Sequence, residues 1–473
     1  MNLIYKNGKS SKKVLESKFE KNISKFSCLM IGIGGLIGGG IFSVIGAISE
    51  YTGPYSYISY IITGLIALIT VYSYSKLNNV WPSPGGEYTI IRNAFTGEKF
   101  KALGPIVGLL LYFGYIVTVA LYAYTFSIYF LYLFGIPVNY LFVMIIIISL
   151  ISFFTIINLF NIKDSTYLEN ILVVTKIIIL GLFIIFGMIY ALTTPSQMIT
   201  NLGLDFASFH NFNFIGIMIG SASIVVSYQG FQLIAHEVYE MKDKKGGLGM
   251  MKWSLIISMA IYIFVGITAI SILGVSGVMG KDAHDSEVAI AIAATKFLTP
   301  FGAVIIIIGA LFSTASAINA TIIGSSRLAF MMGSEKLLPL SLSKLNSKHE
   351  PIVSIIIVGL FSILIAMISG GALAIAGVAG LLFSQIYFFV NFTNYHVRKK
   401  TKSRKIFPII GMITTATLFI ILLIYSLLNI ITEFFSLIVF IVIECITLLF
   451  VILKLDLHLS HMNSLEKGLR PES

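Results

Sequence analysis

A single lysine, Lys176, interrupts the apolar run from Tyr167 to Thr193. If that run is a membrane helix entered near Tyr167, Lys176 lies about 14 Å along it. An ammonium group at mid-bilayer costs about 2.5–3.5 kcal/mol on insertion scales. It must snorkel its stem toward the interface or meet acceptors built for it. In the second case it can bind and release a proton, or fill a site that would otherwise hold a cation. A second unusual stretch is "IGIGGLIGGGIF", Ile31 to Phe42, in which six of the nine residues from Gly32 to Gly40 are glycine. Each glycine inside a helix costs about 1 kcal/mol relative to alanine. The four-residue spacings Gly34–Gly38 and Gly35–Gly39 permit close helix packing. Three adjacent glycines, Gly38, Gly39 and Gly40, weaken a helix on every face, which packing alone does not require.

A break in the helix accounts for them. Its first half would leave free carbonyls near Ile33 to Ile37, and its second half free N–H groups near Gly39, Gly40 and Ile41. The N–H end is partly positive and suits a carboxylate. The carbonyl end suits an ammonium group or a cation, and glycine lets a ligand approach the backbone. One break thus offers complementary ends to a zwitterion. "SYQGFQ", Ser227 to Gln232, interrupts another apolar run in the same manner.

Other polar residues carry weaker signals. Glu237 and Glu240 stand at the end of their apolar run, as a solvated helix end or as part of a gate. Glu444 lies within an apolar segment, which fits an oligomer contact or an error in the span. "KDAHDSE", Lys281 to Glu287, offers Asp282, His284, Asp285 and Glu287, but their spacing fits no particular metal geometry and a solvated loop is expected. No phosphate loop or Gly-x-Ser-x-Gly occurs, so no enzyme, cofactor or metal is expected.

The elements that must hold these residues follow from composition. The 473-residue chain is 57% hydrophobic and 11% charged, too apolar for a soluble protein of this size. Its net charge of +11 would point to nucleic acid in a soluble protein. Here the basic residues lie mostly between apolar runs, so topology explains them and no nucleic acid is expected. The two cysteines, Cys28 and Cys445, build no disulfide framework. Twelve apolar segments are expected, at 27–49, 55–79, 103–134, 138–159, 167–193, 211–235, 252–276, 300–332, 351–368, 371–395, 408–428 and 432–454. In a bilayer such segments must be helices. Twelve crossings put both termini on one side. Of 32 Lys and Arg, all but Lys176, Lys281 and Lys296 then fall on that side or at its border. The termini and the basic loops are therefore expected in the cytoplasm, and no cleavable signal peptide precedes them. The expected fold is an all-α integral membrane protein of twelve transmembrane helices, with segments one and six broken. Residues 1–26 and 455–473 form tails around a single transmembrane domain, 27–454. Matching breaks point to an inverted repeat, 27–193 and 211–395, with 408–454 outside it.

Four stretches, in order, resemble the amino acid–polyamine–organocation superfamily of permeases. "GGLIGGGIF" is similar to its glycine-rich first helix. "WPSPGGEYTIIRNAFTG" is similar to its loop after the second helix. "SYQGFQLIAHEVYEMKD" is similar to its sixth helix, and "STASAINATIIGSSRLAFMMGSEKLLP" to its eighth. The resemblance implies the LeuT-type 5+5 inverted repeat and a secondary active permease that works by alternating access, a multi-pass protein of the plasma membrane, monomeric or homodimeric.

It also implies roles for particular residues. The substrate carboxylate would meet the amides around Gly38, Gly39 and Gly40, beside Ile37. The amino group would meet carbonyls near Leu36, Val226, Ser227 and Gln229, with Phe231 as the aromatic beside it. Lys176 would hold a segment-one carbonyl and a hydroxyl of Ser313, Thr314 or Ser316, and carry the coupling proton. Tyr88, Gln232, Glu237, Glu240 and Arg327 would gate the cytoplasmic side, with Asn319 in packing. Gln232 stands where the family often has an acid, and no buried anion is expected near the breaks. Proton-coupled uptake of neutral amino acids is the favoured function. Exchange and sodium symport on the same fold are the alternatives, and a channel or receptor is a more distant one.

Overall fold

The computed structural model describes residues 23–95, 97, 100–160, 165–205, 212–280, 283–346, 350–429 and 431–468, some of them by backbone alone. Residues 1–22 of the expected N-terminal tail, and Lys281 and Asp282 of the "KDAHDSE" loop, lie outside them.

The apolar runs fold as helices because each peptide group then bonds within its own segment. In chain order they are α1 (Lys25–Leu36), α2 (Gly39–Thr52), α3 (Ser56–Val80), α4 (Gly86–Ala94), α5 (Leu103–Leu133), α6 (Tyr140–Phe160), α7 (Ser165–Leu192), α8 (Pro195–Asn201), α9 (Phe214–Ser223), α10 (Leu233–His236), α11 (Lys244–Met279), α12 (Ala283–Glu287), α13 (Ala289–Thr295), α14 (Thr299–Ser334), α15 (Ile352–Ile368), α16 (Ala372–His396), α17 (Ile406–Leu428) and α18 (Phe434–Gly468). Ten helical stretches among the described residues are long and apolar enough to cross a membrane. One of them, Lys25–Val80, holds the first two expected crossings, and the shorter apolar helix α15 supplies the ninth. Every expected segment thus has a helical counterpart.

Some boundaries differ from expectation. α11 starts at Lys244 rather than 252, because Asp243 caps it by accepting from Gly246 N. α18 runs on to Gly468, past the expected end at 454. The long stretches between segments are not bare loops: α4, α8, α12 and α13 lie in them.

α5, α11, α14 and α16 form the centre of the bundle. Within the core, α5 buries nearly all of its faces. Outer helices present apolar side chains outward, among them Phe153, Ile189, Ile413 and Leu449, each more than half exposed. Such a surface suits lipid, not water. At the end bearing most Lys and Arg, one β-bridge pairs Ile23 with Met241, through Ile23 N to Glu240 O at 3.0 Å and Lys242 N to Ile23 O at 3.0 Å. The approach to α1 is thereby tied to the chain that follows the second break.

Candidate functional site

The first break falls at Ile37 and Gly38. Ile37 has φ −79° and ψ 77°, and Gly38 has φ −108° and ψ −141°, so neither continues a helix. α2 begins at Gly39, and Gly38 offers no side chain to cap it. The first amides of α2 have no partner within their own helix. The second break is opened by a 3₁₀ turn, Ile224–Tyr228, and an extended Gln229. Gly230 then has φ +130°, a conformation that favours glycine. A Cβ there would collide with the backbone of Gly35 and Leu36. The two breaks are therefore in direct backbone contact.

Side-chain donors hold the carbonyls that end α1. Lys176 Nζ, fully buried, donates to Ile37 O at 2.7 Å, Gly34 O at 3.0 Å and Ser316 Oγ at 3.1 Å. Ser313 Oγ also donates to Ile37 O. Thr314 does not join them; its hydroxyl turns back to Ala310 O at 2.8 Å. Tyr122 O–H donates to Gly35 O at 3.1 Å and accepts from Gln229 Nε2 at 3.2 Å. Tyr262 O–H serves Leu36 O and, at 2.9 Å, Ser227 O. Val226 O accepts from Gln229 N at 3.2 Å.

The glycine cradle is tight. A Cβ on Gly38 would meet the Tyr122 ring, one on Gly39 would lie 2.7 Å from Thr125 Oγ1, and one on Gly40 would meet Ser227. Gln232 Oε1 accepts from Gly230 N at 2.9 Å, so this residue braces the second break from within. Phe231 is buried and packs edge-on against Tyr74, ring centroids 5.1 Å apart.

Of the residues expected at the gate, Glu237, Glu240 and Arg327 form one ionic cluster and Tyr88 joins a second, while Gln232 joins neither. Arg327 pairs with Glu237 and, at 2.8 Å, with Glu240. Tyr88 accepts from Arg92 Nη1 at 3.3 Å, and Arg92 pairs with Glu335. The half-helix leading to Glu237 is short, since α10 ends at His236. His236 is buried between Tyr115 O–H, 2.9 Å from Nε2, and Pro84 O, 2.6 Å from Nδ1. Removing the cation from a largely buried pair costs about 3–5 kcal/mol. Arg327→Met is therefore expected to lower the thermal unfolding midpoint clearly, and Arg327→Lys by less; equal midpoints for all three proteins would show that the cluster holds nothing shut.

One expectation fails. Two buried carboxyl groups do lie near the breaks. Glu87 is fully buried and accepts from Tyr74 O–H, whose ring touches Phe231. Burial pushes Glu87 up to about 7, against the lowering effect of the Tyr74 bond. Glu169 is buried beside Gly34. Neither was legible as a site: Glu87 stands in a loop motif, and Glu169 two residues inside an expected helix end. Tyr122, Thr125 and Tyr262 were also missed, since buried aromatic and hydroxyl residues on apolar helices read as core. Glu444 lies in α18 with its Oε1 buried and without a hydrogen-bond partner, near Gln385 of α16.

Comparison with known proteins gives the following. Residues 23–454 match a family model described as amino acid permease. The chain is 30% identical over 410 residues to an uncharacterized protein of Methanocaldococcus jannaschii, covering 86% of this chain and 89% of that one. It is 25% identical over 362 residues to the branched-chain amino acid permease BcaP of Bacillus subtilis, covering 71% and 72%. It is 24% identical over 373 residues to the cationic amino acid transporter 7, chloroplastic, of Arabidopsis thaliana, covering 74% and 61%.

Proposed function

Because this chain belongs to the amino acid permease family, we propose that it takes up neutral amino acids together with protons, by alternating access across the plasma membrane. Permeases move solutes and are not enzymes. Helices of segments 1–5 and 6–10 act as the two inverted repeats, with the termini and the basic loops in the cytoplasm. The substrate carboxylate binds the amides at Gly38, Gly39 and Gly40. Its amino group binds the carbonyls of Leu36, Val226, Ser227 and Gln229, those of Leu36 and Ser227 shared with the Tyr262 hydroxyl, and Phe231 lies beside it.

The observation that carries proton coupling is the triple contact of Lys176 Nζ with Gly34 O, Ile37 O and Ser316 Oγ. Carbonyls freed by a helix break, with a nearby hydroxyl, are a set that could hold a sodium ion. An ammonium already fills it, which favours a proton over sodium as the coupling ion. A proton on Lys176 fastens the end of α1 to α7 and α14, and so favours one conformation by differential contact, as any coupling ligand must. Arg327, Glu237 and Glu240, with Tyr88, Arg92 and Glu335, form the cytoplasmic gate.

Relatives carry names for both branched-chain and cationic substrates, so the substrate class rests on the site. A cationic side chain needs a buried anion. Gln232, in the second break itself, is uncharged. This supports neutral amino acids.

Purified protein in liposomes tests the proposal. Radiolabelled neutral amino acids are expected to accumulate when the outside is acidic, and a protonophore is expected to abolish this. A requirement for sodium, or uptake only against a preloaded amino acid, would replace proton coupling by the alternatives of symport with sodium or exchange. Robust arginine or putrescine uptake would overturn the substrate class. A ligand screen by thermal shift narrows the substrate, since binding to the folded state raises its apparent stability.

A further inference from the structure

The polar groups around Lys176 extend beyond its own acceptors. Glu169 lies seven residues earlier on α7, about two turns closer to the side bearing most Lys and Arg. It is 6% exposed, whereas Lys176 is 0% exposed. Gly34 stands between them. Its carbonyl oxygen accepts from Lys176 Nζ at 3.0 Å. A Cβ placed on it would lie only 2.8 Å from Glu169 Oε1 and 3.1 Å from Val173 Cγ2. Gly34 thus touches both groups, its carbonyl meeting Lys176 and its bare Cα meeting Glu169, while Lys176 and Glu169 make no direct contact.

Glu169 is only partly committed. Its Oε1 is buried without a hydrogen-bond partner. Asn319 of α14 stands near the carboxyl, and Asn319 Oδ1 itself accepts from Asn158 Nδ2 of α6 at 2.9 Å. The neighbouring Asn170 donates to Ser27 Oγ of α1 at 3.3 Å. Asn319 is uncharged, and the charge acting on Glu169 among the described residues is that of Lys176. A buried carboxylate with one open oxygen next to a buried ammonium is an expensive arrangement for packing alone. It is a suitable one for moving a proton.

We propose that Glu169 takes the coupling proton from Lys176 and passes it to water on the cytoplasmic side; this rests on Lys176 being the coupling residue. Lys176 begins as ammonium and Glu169 as carboxylate. As the cytoplasmic side opens, an N–H bond of Lys176 breaks and its electron pair stays on Nζ; an entering water accepts that proton and gives one of its own to form an O–H bond at Glu169 Oε1. Water entering from the cytoplasm then takes that proton and leaves as hydronium, restoring the carboxylate. The neutral Lys176 is recharged by a proton from the opposite side after the transporter resets. One proton crosses in each cycle. Releasing the proton also leaves Lys176 a neutral amine, whose hydrogen bonds to Gly34 O and Ile37 O are weaker, so the end of α1 loosens as the substrate leaves.

The test uses full-length protein in liposomes with a pH dye in the lumen and an equimolar mixture of radiolabelled neutral amino acids. Glu169→Gln is expected to slow both acid-driven accumulation and lumenal acidification at least about tenfold. Counterflow exchange, which needs no net proton release, is expected to fall much less. Formate trapped in the lumen is expected to restore part of the coupled uptake of Glu169→Ala, by supplying the missing carboxylate. If Glu169→Gln accumulates substrate and acidifies the lumen at the wild-type rate while Lys176→Met does neither, the relay is wrong and the coupling role of Lys176 stands. If Lys176→Met itself accumulates substrate as the wild type does, both fall. If exchange and net uptake fall together and formate restores nothing, Glu169 is structural and the relay is overturned. Should Glu169→Gln not fold, Glu169→Asp keeps the acid but withdraws it by one methylene. Coupled uptake slowed several-fold, with exchange kept, supports the relay, and a wild-type rate overturns it.

Discussion

Lys176→Met is expected to reduce acid-driven accumulation to the level of passive equilibration, a loss of at least about tenfold, corresponding to about 1.4 kcal/mol of coupling. Methionine keeps the length and the apolar stem of lysine but has no donor and no titration. Gly34 O and Ile37 O lose the ammonium. Ser313 still donates to Ile37 O, and Tyr122 and Tyr262 still hold Gly35 O and Leu36 O. The break therefore keeps most of its supports, and the variant should fold and still bind substrate. What it lacks is a group whose charge differs between the two sides of the membrane. Uptake by the variant is expected to be flat with outside pH, whereas that of the wild type rises as the outside is acidified. Accumulation against a gradient with the wild-type pH profile would make Lys176 a structural lysine.

Gly39→Val is expected to abolish substrate binding, by about 3 kcal/mol or more, the worth of two hydrogen bonds from amides to a carboxylate. A Cβ at Gly39 lies 2.7 Å from Thr125 Oγ1 and 3.0 Å from the Tyr122 ring, so valine must displace both or turn the start of α2. Either movement shifts the amides that would face the carboxylate. Thr125 is also within 2.9 Å of Ser43 Oγ, and Ser43 Oγ donates to Gly39 O at 3.0 Å, so the disturbance spreads along α2. Valine further favours a continuous helix over a break, since it loses less backbone freedom than glycine on entering a helix. Calorimetry on the monodisperse variant measures the loss, and Gly39→Ala should give a smaller one. Unchanged affinity in Gly39→Val would mean that the break serves packing rather than binding.

Sequence by itself determined the membrane class, the order of the segments and the place of both interruptions. These are local properties. An apolar run of membrane length must be a helix whatever surrounds it, and Gly38-Gly39-Gly40 weakens that helix before any neighbour is known. The sequence also singled out Lys176, because the cost of a mid-bilayer ammonium depends on depth along one helix.

Tertiary structure decided which groups meet. Ser313 and Ser316 lie three apart on one face of α14 and turn toward the break, while Thr314 is rotated off that face and bonds its own helix. The partner of Arg92 is Glu335, at the far end of α14, and no spacing rule links positions so distant. Glu87 and Glu169 carried no signal, because a carboxylate at a helix end is ordinarily solvated. Only the packing of Tyr74 over one and of Gly34 against the other buries them. Chemistry at this site depends on distances of about 3 Å between atoms from separate helices. Those distances are set by how the helices cross, which the pattern of any single helix does not contain.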